Sequence, residues 1–192
     1  MSYAPHLRAV RAHFALPQTE LAIWLGLGRS LLAMVETGQE ELPRHARPWL
    51  RPWQAALAAA PPDEAAPPSP PPLPLPATGP AAVLARLAEC DYQTQRLSQQ
   101  LASLHTAHRT AARRLAAGPL LLAALPPPAP AEAEVLARRR RWLARLLKAA
   151  TDALVPEAAT GPVAVALLAA RRQAFRHEAG QLLAYLQGEG LE

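Results

Sequence analysis

Apolar side chains recur with a helical period over most of the chain. Between residues 83 and 115, mostly apolar residues are spaced four and three apart, which is the pattern of a heptad seam. The seam consists of Val83, Leu87, Cys90, Thr94, Leu97, Leu101, Leu104, His108, Ala111 and Leu115. Gly118-Pro119 follows, and this pair is expected to end a helix. The pattern therefore predicts a long amphipathic helix that stops at residue 118.

Two more amphipathic helices are predicted after it. The first runs from about Ala131 to Val155 and the second over residues 163–187, with prolines between them. The predicted inward positions are Leu136, Leu143, Leu146, Leu147, Ala150 and Leu154 in the first, and Leu167, Leu168, Phe175, Leu182, Tyr185 and Leu186 in the second. Three such helices predict an antiparallel helical bundle over residues 81–192, part of it a coiled coil.

A proline cluster divides the chain. Residues 61–80 hold ten of the 22 prolines, and proline both fixes φ and lacks an amide donor. This stretch predicts an extended linker, the alternative being a docking site for a proline-recognising domain. Residues 1–60 then form a first domain of short helices, and residues 81–192 a second domain.

Composition restricts the fold class. The chain contains 44 Ala and 33 Leu, both strong helix formers, but only one Ile and seven Val. Sheet-built domains are therefore excluded, and the predicted class is all-α. Cys90 is the single cysteine, which excludes an internal disulfide and fits a cytoplasmic protein. The apolar runs are too short to predict a membrane span.

No pattern of catalytic residues stands out. The chain lacks a Ser-His-Asp arrangement, a phosphate-binding glycine loop and a paired carboxylate motif. His105 and His108 are three apart, but no third ligand from the same helix joins them. The sequence thus predicts a protein that is not an enzyme and has no cofactor or metal ion.

The net charge of +5 is compatible with nucleic-acid binding but does not establish it. Residues 1–60 contain six Arg and four acidic residues, a balance of only +2. Residues 81–192 contain 14 basic and nine acidic residues, a balance of +5. Most of the excess of basic over acidic residues therefore lies outside the first domain. A run of four arginines, Arg138 to Arg141, is interpreted as a solvated helix face, with a phosphate-binding patch as the alternative.

The first domain contains two short helical segments joined by a glycine turn. A segment over residues 18–26 ends at Gly26, and another over residues 29–36 is closed by Gly38. Glycine suits the left-handed conformation that a tight turn or a helix end requires. Such a pair predicts a helix-turn-helix.

This stretch resembles the lambda-repressor-like, Cro-type helix-turn-helix of the XRE family of transcriptional regulators. The resemblance covers residues 7–38 without a gap and extends loosely to residue 60. It lies in the run Leu-Pro-Gln-Thr-Glu-Leu-Ala at 16–22, in Leu25-Gly26, and in Val-Glu-Thr-Gly at 35–38. In that family the second of these helices enters the major groove of DNA.

The resemblance implies a role for individual residues. Leu21, Leu25, Leu32 and Val35 are expected in the core, and Arg11 and Glu36 are expected to form a structural ion pair. Gln18 is expected to contact a phosphate, and Arg29, Ser30, Ala33 and Met34 to face the bases. The full set of expected DNA-binding residues is Gln18, Thr19, Arg29, Ser30, Ala33, Met34 and Arg44.

The helix expected in the groove departs from the family pattern. Gly28 replaces the usual Ser or Thr cap, and Leu31, Ala33 and Met34 stand where polar base-reading side chains are usual. The predicted function is a bacterial, sequence-specific regulator that binds double-stranded DNA as a homodimer formed through residues 81–192. The alternative is a protein–protein adaptor built on a degenerate helix-turn-helix with a coiled-coil hairpin.

Overall fold

The computed structural model describes residues 2–61, 71–127 and 133–188. These residues form seven α-helices and no strand, so the prediction of an all-α fold is confirmed. The helices are α1 (Ala4–Phe14), α2 (Gln18–Leu25), α3 (Arg29–Thr37), α4 (Arg47–Ala58), α5 (Ala81–Ala123), α6 (Glu134–Leu154) and α7 (Pro162–Gln187). Among them, none combines the length and apolar character needed to cross a bilayer.

The chain divides into two compact units whose boundaries differ from the predicted domains. Unit 1 combines residues 1–63 with residues 109–154, and unit 2 combines residues 64–108 with 155–192. The predicted bundle over 81–192 is therefore divided, because α6 packs against α2 and buries its apolar face in the core of the N-terminal helices. Within the predicted linker, residues 62–70 lie outside the described part of the chain.

Aromatic residues build the centre of unit 1. Trp24 and Trp53 are fully buried, and Trp142 from α6 is 1% exposed. The ring centroid of Trp142 lies 5.6 Å from that of Trp24 and 6.3 Å from that of Trp53. The Trp24 indole N–H donates a hydrogen bond of 2.6 Å to the carbonyl of Trp49. All four tryptophans of the chain thus belong to one unit, three from the first 60 residues and one from α6.

The prediction that Gly118-Pro119 ends a helix is wrong, since α5 continues to Ala123. Pro119 removes one amide donor, but Ala117 and Leu121 on either side of it are buried in the unit 1 core. A Cβ atom on Gly118 would lie 3.2 Å from Cδ2 of Leu147 in α6. The glycine therefore permits close packing of two helices and does not mark a helix end.

The final turns of α5 also hold the carboxyl end of α1. The Arg114 side chain donates two hydrogen bonds of 2.9 Å, to the carbonyls of Phe14 and Ala15. Arg113 donates one of 3.0 Å to the carbonyl of His13. Carbonyls at a helix end lack intrahelical partners, so arginine is favoured there. Burial lowers the pKa of Arg114, and the charge of Glu20 opposes that shift.

Unit 2 pairs the first part of α5 with α7. Leu87 and Cys90 from α5 are buried with Ala179 from α7, and burial raises the pKa of the Cys90 thiol. Arg86 makes a bidentate ion pair with Glu178 at 2.6 and 2.7 Å. Phe175, Leu182 and Leu186 pack against this cluster as predicted. Leu167 and Tyr185 do not follow the prediction, because they are exposed.

The heptad seam of α5 is largely inward-facing. Six of its ten positions are buried and none is exposed. The buried positions are Leu87, Cys90, Thr94, Leu97, Leu101 and Ala111. The seam therefore runs from unit 2, where Leu87 and Cys90 are in the core, into the part of α5 that belongs to unit 1, where Ala111 is buried.

Candidate nucleic-acid interface

Helices α2 and α3 are joined by a tight turn at Gly26. This residue has φ of +71° and ψ of +34°, the left-handed conformation that was predicted for it. The turn is also a place of close approach, because a Cβ atom there would lie 2.7 Å from Nη2 of Arg139 and 3.6 Å from Cγ1 of Val135. The backbone conformation therefore requires glycine, and a side chain at this position would also displace the Arg139 guanidinium.

Gly26→Ala is expected to destabilise unit 1 by about 2 kcal/mol, because the left-handed backbone alone costs about 1–2 kcal/mol in a residue with a Cβ. Gly38→Ala is the matched control, since Gly38 has φ of +79° and open space around its Cα. Denaturant unfolding of both variants measures the difference. If Gly26→Ala and Gly38→Ala lower the free energy of unfolding equally, displacing the Arg139 side chain has no cost.

The four residues expected in the core are there. Leu21, Leu25 and Leu32 are completely buried and Val35 is 2% exposed. They pack α2 against α3 and against the helices around them. The packing leaves the opposite side of α3 on the surface of unit 1.

The expected ion pair between Arg11 and Glu36 is present. Nη1 of Arg11 lies 2.7 Å from Oε2 of Glu36, and the same arginine donates to the carbonyl of Leu16 at 2.9 Å. Gln18, expected to contact a phosphate, is half-buried, and its amide donates to Glu36 Oε2 at 2.8 Å. A buried carboxylate is a strong acceptor, so this hydrogen bond orients the Gln18 side chain at the start of α2. These contacts connect α1, α2 and α3.

The outward side of α3 carries the residues expected to face the bases. Arg29 and Ser30 are exposed at its amino end, Ala33 is half-buried, and Met34 is 37% exposed. Gly28 precedes the helix in an extended conformation and makes no side-chain cap. Because Glu36 points inward, this side of α3 has no acidic side chain.

Two further expected contacts, Thr19 and Arg44, are exposed on the same unit. Arg44 makes no hydrogen bond or ion pair to any residue within the described ranges. Arg47 is different, because it donates to the carbonyl of Leu42 at 2.9 Å and its guanidinium lies over the ring of Tyr3. Arg47 therefore has a structural role, while Arg44 is available to a ligand.

The arginine run of α6 is solvated only in part, because Arg138 and Arg141 are exposed while Arg140 is half-buried and Arg139 is buried. Arg139 is 4% exposed; it donates to the carbonyl of Trp24 and its guanidinium lies 3.8 Å from the ring centroid of Trp49. Arg140 donates to the carbonyl of Pro126 at 2.8 Å, and Arg141 pairs with Glu134 at 2.6 Å. Consecutive residues of a helix point about 100° apart, so each of the last three arginines of the run meets a different set of partners. Burial lowers the pKa of Arg139.

Arg139 and Trp142 were missed as residues that complete the N-terminal core. They are three apart and share the buried face of α6 with Leu143 and Leu146. The indole N–H of Trp142 donates to the carboxylate of Glu20 in α2. The one available signal was the position of Trp142 within the apolar stripe of α6, because a tryptophan there indicates a contact with a large core.

Metal ligands are not grouped in the described ranges, where no cluster of three or more His, Cys, Asp or Glu side chains occurs. Comparison with known protein families, with curated proteins and with solved structures finds no match for this chain. The interpretation of this surface therefore depends on its own geometry and on the resemblance of residues 7–38.

Proposed function

We propose that this protein is a DNA-binding regulator of the XRE/Cro type in which α3 enters the major groove. The observation that carries the proposal is the exposed side of α3, with Arg29 and Ser30 at its amino end, mounted on α2 through a left-handed glycine. Arg29 suits the O6 and N7 acceptors of a guanine edge. The ion pair between Arg11 and Glu36 stabilises this mounting.

The charge distribution supports the same proposal. Counted over the whole sequence, unit 1 contains fifteen basic and eight acidic residues, a balance of +7. Unit 2 contains five basic and seven acidic residues, a balance of −2. The end of α5 and α6 bring nine basic residues into the unit that holds α3. The basic excess therefore belongs to the same unit as the proposed DNA-reading helix, as a polyanionic ligand requires.

Recognition of a duplex also needs contacts to the backbone. The exposed side chains of Arg8, Arg44 and Arg51 supply cations on unit 1 for this role. A homodimer would present two α3 helices to successive major grooves, one helical turn apart. Light scattering of the full chain tests this part of the proposal, and a monomeric mass with and without DNA would overturn it.

A protein–protein adaptor is the second candidate function. It is favoured by the apolar character of α3, where Met34 is exposed and Leu31 and Ala33 are half-buried. An apolar surface of this kind suits a partner helix better than the polar edges of bases. A test of binding to duplex DNA separates the two candidates, because an adaptor does not need to bind DNA.

Arg29→Ala is expected to relax sequence preference, whereas Arg44→Ala is expected to weaken binding to all sequences alike. Loss of one base contact costs about 1–3 kcal/mol in discrimination against the wrong base pair. The measurement is selection of bound duplexes from a random pool, followed by affinities for the selected and a scrambled site. If Arg29→Ala leaves the preference unchanged, or the wild type selects no sequence, reading by α3 is excluded.

A further inference from the structure

A groove lies between the α2–α3 turn and the amino-terminal part of α6, entirely within unit 1. Its polar side chains are Thr19 from α2, Arg29 from α3 and Arg138 from α6. Gly26 and Val135 contribute to its apolar walls. None of the described residues that line it is acidic. The groove is therefore a basic depression directly beside the amino end of the proposed DNA-reading helix.

The contacts of the neighbouring Arg139 determine the position of Arg138 at this groove. Arg139 is anchored to the carbonyl of Trp24 and to the ring of Trp49, which fixes the rotation of α6 against α2. The side chain one residue earlier is then directed to the groove instead of the core. Within the described part of the chain, Arg138 makes no hydrogen bond or ion pair, unlike the three arginines that follow it.

We infer that Arg138 and the Thr19 hydroxyl bind a backbone phosphate of the duplex that α3 reads. The inference rests on the proposed function and extends it, because it assigns a DNA contact to a helix that begins 97 residues after the end of α3. Guanidinium and hydroxyl groups are common phosphate ligands, and such contacts set the position of a protein on DNA. Arg29, on the other wall of the groove, remains free to reach a base.

The test compares the full-length wild type with Arg138→Gln on a mixed-sequence duplex over a range of salt concentrations. Loss of one phosphate contact is expected to weaken binding roughly 3–10-fold at low salt and to make the slope of log affinity against log salt less steep by about 0.9. Arg138→Lys keeps a positive charge and should keep the slope. Arg171→Gln, an exposed arginine of α7 in unit 2, is the matched control and should change neither quantity.

The outcomes distinguish this inference from the proposed function. If the wild type binds DNA and Arg138→Gln binds with an unchanged slope, α6 makes no phosphate contact and only the inference is overturned. If Arg171→Gln reduces the slope as much as Arg138→Gln, the contact is not specific to the groove and the inference is also overturned. If the wild type shows no binding at low salt, the proposed function and the inference fall together.

Discussion

Trp142→Ala is expected to lower the free energy of unfolding of unit 1 by about 3–5 kcal/mol, the range for truncation of a buried aromatic side chain. The indole is 1% exposed, packs against two tryptophans of the N-terminal helices, and donates to Glu20. A whole domain is stable by only about 5–15 kcal/mol. The variant should therefore destabilise helices α1–α4 although the substitution lies in α6.

Denaturant unfolding followed by tryptophan fluorescence measures this effect directly. The three remaining tryptophans all belong to unit 1, so their emission reports on that unit alone. Leu122→Ala is the control, because Leu122 is 53% exposed on α5 and its truncation should cost less than about 0.5 kcal/mol. A loss of less than about 1 kcal/mol for Trp142→Ala would contradict the assignment of α6 to the N-terminal core.

Arg11→Met is expected to destabilise unit 1 by about 2–3 kcal/mol. Removing one partner of a buried ion pair costs about 3–5 kcal/mol, and the partial exposure of Arg11 reduces that figure. The side chain of Glu36 is 6% exposed and that of Arg11 is 27% exposed. Without Arg11, the carboxylate keeps only the hydrogen bond from Gln18 and remains out of water. Thermal or denaturant unfolding of the full chain gives the value.

A second substitution separates charge from packing at this site. Arg11→Met combined with Glu36→Gln removes the unpaired charge, so the double variant should recover part of the loss. Lys148→Met is the control, because Lys148 and Asp152 form an exposed pair expected to contribute less than about 1 kcal/mol. Glu36→Gln is also measured alone. If the losses of Arg11→Met and Glu36→Gln add up to the loss of the double variant, Arg11 and Glu36 are not coupled.

The sequence predicts the local structure of the first 40 residues well. Glycines at 26 and 38 have the left-handed conformation that the pattern required, and Leu21 and Leu32 are in the core. Each of these features depends on a backbone conformation or a period that neighbouring residues determine. Local information is therefore enough to predict the turn and the buried sides of α2 and α3.

The grouping of helices could not be predicted in the same way. A helical period shows which side of α6 is apolar but not which core it enters, because any large apolar surface satisfies the pattern. Gly118-Pro119 illustrates the same limit, since the glycine provides close packing against Leu147 and the helix continues. Contacts between distant segments decide both cases.

The assignment of α6 to unit 1 also changes the interpretation of the charge. Counted along the sequence, most of the basic excess lies outside residues 1–60, whose balance is only +2. Counted by packed units, α2 and α3 are in the unit with a balance of +7. The two ways of counting differ most in meaning for Arg138. This residue is far from α3 in sequence but belongs to the same packed unit as the proposed DNA surface.

The most direct test of a DNA-binding unit 1 is the affinity of the full chain for duplex DNA between about 50 and 200 mM salt. Each phosphate contact contributes about 0.9 to the slope, so contacts from Arg8, Arg44, Arg51 and Arg138 predict a slope of about −3 to −4 per protomer on a log–log plot. No detectable binding at the lowest salt, or an affinity that does not change with salt, would contradict DNA binding by unit 1.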